Sequence, residues 1–178
     1  GNSPTYIYGL EQIIEAYNML DFNWGTSFGT PVTMSFWYRT NIPSGSVSCI
    51  TLRNNVAGGT WWLYNGTFTA AGNGTWQYVT VTIPPPPNGS TWKTGSNAGI
   101  ELYVSSINAG GSALGWISGT SNTGYSAQYP WWQNAGNYIE FTGVQLEKGT
   151  VATPFEFRPY ATELAPVSYT HLTLPTKA

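Results

Sequence analysis

Charge is the scarcest commodity in this 178-residue sequence: Asp, Glu, Lys and Arg make up only 8% of it, six basic against eight acidic residues, with a net charge of −2. An average soluble domain carries about a quarter. Nucleic-acid binding through phosphate neutralisation needs a basic surface, which this balance excludes. Cysteine is nearly absent too. Cys49 stands alone, which excludes an internal disulfide framework and a Cys-based zinc site. No apolar run approaches the roughly 18 residues of a membrane span, and no basic-then-apolar start reads as a signal peptide. Disorder requires low hydrophobicity and high net charge, whereas 41% of the residues here are hydrophobic.

What is present is aromatic. Nine Trp, 12 Tyr and seven Phe amount to 16% of the chain, punctuated by 21 Gly and 12 Pro. Alternation of period two recurs, as half-buried strands require. Val32, Met34, Phe36 and Tyr38 form one face of a strand, opposed by Thr33, Ser35, Trp37 and Arg39. Val79, Val81 and Ile83 alternate with Tyr78, Thr80 and Thr82, and Ile100, Leu102 and Val104 with Glu101, Tyr103 and Ser105. Ile139 and Phe141 share a face, but the apolar phase then shifts by one to Val144 and Leu146. A one-residue shift would turn every later side chain to the wrong face unless an extra residue is absorbed, so the pattern predicts a β-bulge at Gly143.

Turn chemistry fits this pattern. Asn65–Gly66 and Asn73–Gly74 are dipeptides that tolerate positive φ in tight hairpins. Pro84–Pro87, followed by Asn88–Gly89, reads as an extended polyproline connection entering a turn. Asn108–Gln128 reads as a large loop. The N-terminal stretch has both helical spacing (Leu10, Ile13, Ile14, Tyr17) and strand-like segments. Roughly eight short strands at regular spacing predict an all-β fold, a β-sandwich of two antiparallel sheets with little helix.

The tail has another origin. Val167–Thr176 resembles the translation of a transposase-type adaptor used in DNA sequencing libraries, so residues 166–178 are set aside as adaptor-derived. His171, the lone histidine, falls inside that tail. The expected organisation is a single sandwich domain over residues 1–165, truncated at both ends.

The block Tyr138–Ala165 resembles the C-terminal motif of a widespread family of phage tail-fibre and tail-structural domains. The matching elements are Gly143–Glu147 (GVQLE), Thr153–Glu156 (TPFE), Arg158–Tyr160 (RPY) and Glu163–Ala165 (ELA). Gln12–Asn18 and Val32–Arg39 resemble earlier strands of the same family. The resemblance implies a jelly roll like that of carbohydrate-binding modules, located in virions or prophage tails.

Chemistry narrows the function further. Without a histidine outside the tail, nucleophilic triads lack their usual base. Glycoside hydrolysis needs two carboxylates, and nothing in the spacing pairs Glu140 with a second acid. Glu140 falls on the face opposite Ile139 and Phe141, where it could point into a groove. A single Asp, Asp21, argues against a dedicated calcium site, and no metal or cofactor is expected. Glu156 and Glu163 read as partners of Arg158, and Cys49 as a small buried hydrophobe. The aromatics are the positive signal. Adjacent strand residues point to opposite faces, so Trp61–Trp62 and Trp131–Trp132 would each turn one ring outward. Trp37, Arg39, Trp62, Trp132 and Glu140 are therefore the candidate ligand contacts, with indole suited to stacking on a pyranose ring. The expected function is non-enzymatic contact with a host cell-surface glycan. The rivals are a structural spacer or homotrimerisation domain packed against other tail subunits, and a glycan-degrading enzyme.

Overall fold

The computed structural model describes residues 8–55, 59–107, 111–119 and 122–157. Eight strands form two antiparallel sheets: β1 (Tyr8–Glu15), β2 (Val32–Thr40), β3 (Val47–Asn54), β4 (Trp62–Thr69), β5 (Gln77–Ile83), β6 (Ala98–Ile107), β7 (Gly115–Ser118) and β8 (Ile139–Lys148). The larger sheet has the order β1-β6-β3-β4-β7 and the smaller β5-β2-β8, with the chain crossing repeatedly between them to make a β-sandwich. The ambiguous N-terminal stretch resolves into β1 followed by a 3-10 helix, Ala16–Phe22.

The core lies where the alternation placed it. Val32, Met34, Phe36 and Tyr38 of β2 are fully buried against Ile50 and Leu52 of β3, Phe68 of β4, Val79 and Ile83 of β5, and Ile100, Leu102 and Val104 of β6. Burying each such side chain contributes about 1.5–3 kcal/mol. Phe36, Tyr38, Phe68 and Phe141 meet in tilted or edge-on contacts with centroids 4.9–5.7 Å apart. A second aromatic knot closes one end of the sandwich, where Trp24 packs against Phe22, Trp92 and Trp116. The indole N–H groups of Trp24 and Trp116 donate to the Thr30 and Pro84 carbonyls, so the buried Trp24 and the half-buried Trp116 strand no donor.

The bulge lies at the predicted position. Ser35 pairs with Gln145 and Trp37 with Thr142, so three residue steps on β8 span two on β2, and Gly143 has φ 59°. Asn73–Gly74 and Asn88–Gly89 occupy turns, and Pro84–Pro87 is an extended connection.

Two expectations are corrected. Asn65–Gly66 is not a hairpin tip but the middle of β4. Gly66 faces inward, where a Cβ would lie 2.9 Å from Val81 Cγ1, so close packing rather than a turn selects glycine. Asn65 is buried, and its side chain accepts from Thr51 Oγ1 and donates to Ser112 Oγ and the Ala113 and Gly124 carbonyls. Asn108–Gln128 is not only loop either. It contains β7, paired with Trp62–Asn65, and the Gly124 amide donates to Thr51 Oγ1 on the outward side of the large sheet. Those bonds satisfy polar groups that would otherwise be buried without partners.

Candidate functional site

The site is built on the outward face of the small sheet. Because β2 buries its even-numbered residues from Val32 to Tyr38, the pleat turns Thr33, Ser35, Trp37 and Arg39 away from the core. Register puts Tyr78 of β5 and Thr142 of β8 on either side of Trp37, and Glu140 of β8 opposite Arg39. Trp37 is 44% exposed, Tyr78 46% and Trp76, just before β5, 38%. The Trp37 and Tyr78 rings are 5.4 Å apart, tilted by 50°. Arg39 lies over Trp76 at 4.9 Å and is ion-paired with Glu140. The result is a row of exposed rings, Trp37 and Tyr78 on neighbouring strands and Trp76 just before one, bordered by a cation and an anion that neutralise each other.

Residues 149–156, after β8, cross part of this face. Thr33 Oγ1 donates to the Gly149 carbonyl, and Thr82 Oγ1 to that of Thr150. Thr153 donates to the Glu147 carboxylate through both its amide (2.9 Å) and its hydroxyl (2.5 Å). Gln145 grips the same strap twice, donating to Thr153 Oγ1 and accepting from the Glu156 amide. These bonds hold the Glu147 carboxyl below its ordinary range, the Thr153 hydroxyl first among them. Thr33 and Ser35 are consequently buried although they point outward. Trp37 remains 44% exposed beside the strap, whose Phe155 is itself 46% exposed.

Of the five residues picked out from sequence, the structure brings Trp37, Arg39 and Glu140 together. Glu140 corrects one expectation: it does not point into a groove but lies on the open sheet surface, bound to Arg39. Trp62 and Trp132 do not join them. Trp62 opens β4 in the other sheet, half-buried, its amide held by Asn54 Oδ1. Trp132 sits in the short 3-10 helix Trp131–Gln133, edge-on to Trp131, which lines an apolar groove with Leu10, Val104, Ile139 and Phe141. The residues missed are Trp76, Tyr78 and Phe155. Tyr78 was legible, since it alternates with the apolar set of β5. Trp76 lies before the strand starts, and Phe155 arrives by a fold-back of the chain that alternation does not encode.

A second polar cluster lies on the outward face of the large sheet. Arg53 of β3 is buried and bonded to Glu101 and to the Tyr103 hydroxyl, both on β6, with its guanidinium 4.5 Å over the Trp61 ring. Tyr103 also donates to Glu11, and Asn55 links Glu101 to Lys93. Burial, before any neighbouring charge, raises the Tyr103 phenol far above its usual range. Glu11 and Glu101 thus converge on one hydroxyl, but Glu101 is committed to Arg53. Cys49 is buried as expected, though beside Thr51 and Asn65 rather than in the apolar core. Among the described residues no three of His, Cys, Asp and Glu gather at metal-ligating distance. Arg158, Glu163 and the tail 166–178 lie outside the described residues. Searches of protein-family models, curated proteins and solved structures give no match to this chain.

Proposed function

We propose that this domain is a non-enzymatic, glycan-contacting module of a phage tail fibre or related virion protein. The observation that carries the reading is the exposed row Trp76, Tyr78 and Trp37 on one rigid sheet face beside the Arg39–Glu140 pair. Flat aromatic faces stack on the apolar face of a pyranose, and a paired cation and anion offer hydrogen bonds to hydroxyls without net charge. The ligand is a neutral or weakly charged surface glycan, because the site has no surplus charge for a polyanion. The C-terminal resemblance supplies the virion setting.

A single site of this kind binds weakly, on the order of millimolar to tens of micromolar, and a fibre regains strength through multiple copies. The test is a glycan array probed with the domain displayed as a multimer. The parent should bind, with little loss on raising salt, since screening weakens charge contacts far more than stacking. Trp37→Ala should abolish binding and leave a folded domain. No binding by the parent would overturn this reading. A spacer or trimerisation role would then take its place, favoured by the further exposed rings Phe155 and Phe157, with sedimentation of the purified domain as its measurement.

A further inference from the structure

The bulge leaves a notch in the aromatic row. Gly143 has φ 59° and no side chain, and two exposed rings flank its bare backbone. A Cβ built on Gly143 would lie 3.6 Å from Trp37 Cδ1 and 3.7 Å from Phe155 Cδ2. Those are ordinary van der Waals distances to both rings, so a methyl carbon at that point would touch each of them. Neither ring is loosely placed. Trp37 is anchored in the central strand of its sheet, and Phe155 is bracketed by the two bonds from Gln145 to Thr153 and Glu156.

We propose that Gly143 and Phe155 determine specificity, the notch between Trp37 and Phe155 receiving a methyl group that projects from a pyranose. This rests on the glycan-contacting reading and adds the substrate class to it. The shared chemistry is a sugar carrying a methyl, either the acetyl methyl of an N-acetylhexosamine or the C6 methyl of a 6-deoxyhexose. Outside the local backbone, the three atoms nearest that point are ring carbons of Trp37 and Phe155. A methyl there touches both rings, whereas a hydroxyl gains no hydrogen-bond partner from either of them. The bare glycine is part of the device, because any side chain there would fill the space the ligand methyl requires. The bulge therefore does more than restore the strand's phase.

The experiment measures binding of the multimeric domain to two matched pairs, N-acetylglucosamine against glucose and 6-deoxygalactose against galactose, each as a simple glycoside on the same support. The parent protein should favour the methyl-bearing member of at least one pair by about tenfold, the discrimination one methyl supplies in an apolar site. Which pair responds separates the acetyl source from the 6-deoxy source. Gly143→Ala, whose new methyl fits at ordinary contact distances, should reduce that ratio to about one. Phe155→Ala removes an exposed ring without touching the bulge and should do the same, so the result does not depend on how well the glycine variant folds. Equal binding of both members of both pairs by the parent overturns the inference while leaving the glycan reading intact. A preference that survives both substitutions overturns it as well, as does loss of all binding by both variants. A parent that binds no sugar overturns the inference together with the reading beneath it.

Discussion

At the scale of single residues, the two sides of one strand carry opposite expectations. Phe36 is fully buried between the sheets, so Phe36→Ala should cost about 3–5 kcal/mol in a denaturant titration. Trp37, one position further on, keeps nearly half its surface in water, and its truncation should cost about 1 kcal/mol or less by the same measurement. Cys49 supplies a chemical probe of the same contrast. Burial above all pushes its thiol up to about 12, so it should resist alkylation at pH 8 in the native protein and react once urea unfolds the domain. Glu147 gives a pH signature. Its folded value lies below the ordinary 4.5, so its contribution to holding the strap is complete above that range and is lost as the pH falls through the lowered value. Amide resonances of Thr153 and Glu156 should shift together in that acid window, and Glu147→Gln should flatten the response.

At the scale of elements, β3 and β6 are joined across the large sheet by an ion pair with almost no solvent access. Removing one partner leaves a buried charge uncompensated, so Glu101→Gln should destabilise by about 3–5 kcal/mol in thermal or urea unfolding. The strands that built the core were legible because alternation reports which face is dry. Val32–Tyr38 and Ile100–Val104 needed nothing more, and even the bulge at Gly143 could be read from a slipped phase. Asn65–Gly66 was misread because the same dipeptide serves two needs. Positive φ in a turn and close packing with an amide anchor in a strand leave identical letters. The candidate site was half legible for a related reason. Trp37, Arg39 and Glu140 follow from strand parity and pairing, whereas Trp76 and Phe155 reach the face from segments outside the strands.

At the scale of the whole molecule, burial is uneven around the sandwich. Trp24, Trp92 and Trp116 seal one end, while between β1 and β8 the sheets part over a groove lined by Leu10, Leu102, Val104, Phe141 and Val144. The exposed aromatic row and the charged cluster around Arg53 lie on opposite sides of the molecule, one on each sheet. Substitutions in the two should therefore act independently: Trp37→Ala on binding, Glu101→Gln on stability.

The position of β2 between β5 and β8 has a consequence for biosynthesis. The strand is made long before its neighbour β8: 116 residues separate Thr33 from Gly149, and Thr33 completes its bond only when Gly149 has emerged. Contacts this distant along the chain form slowly, because loop closure must precede their reward. During translation the emerging chain would hold a two-stranded β2–β5 ribbon whose Met34 and Phe36 lack their final cover. The face that presents Trp37 would then be assembled at one moment, once β8 and the strap have emerged. Nascent chains arrested before β8 should be readily cleaved by protease within Val32–Thr40, and extension beyond Glu156 should protect that segment in a single step.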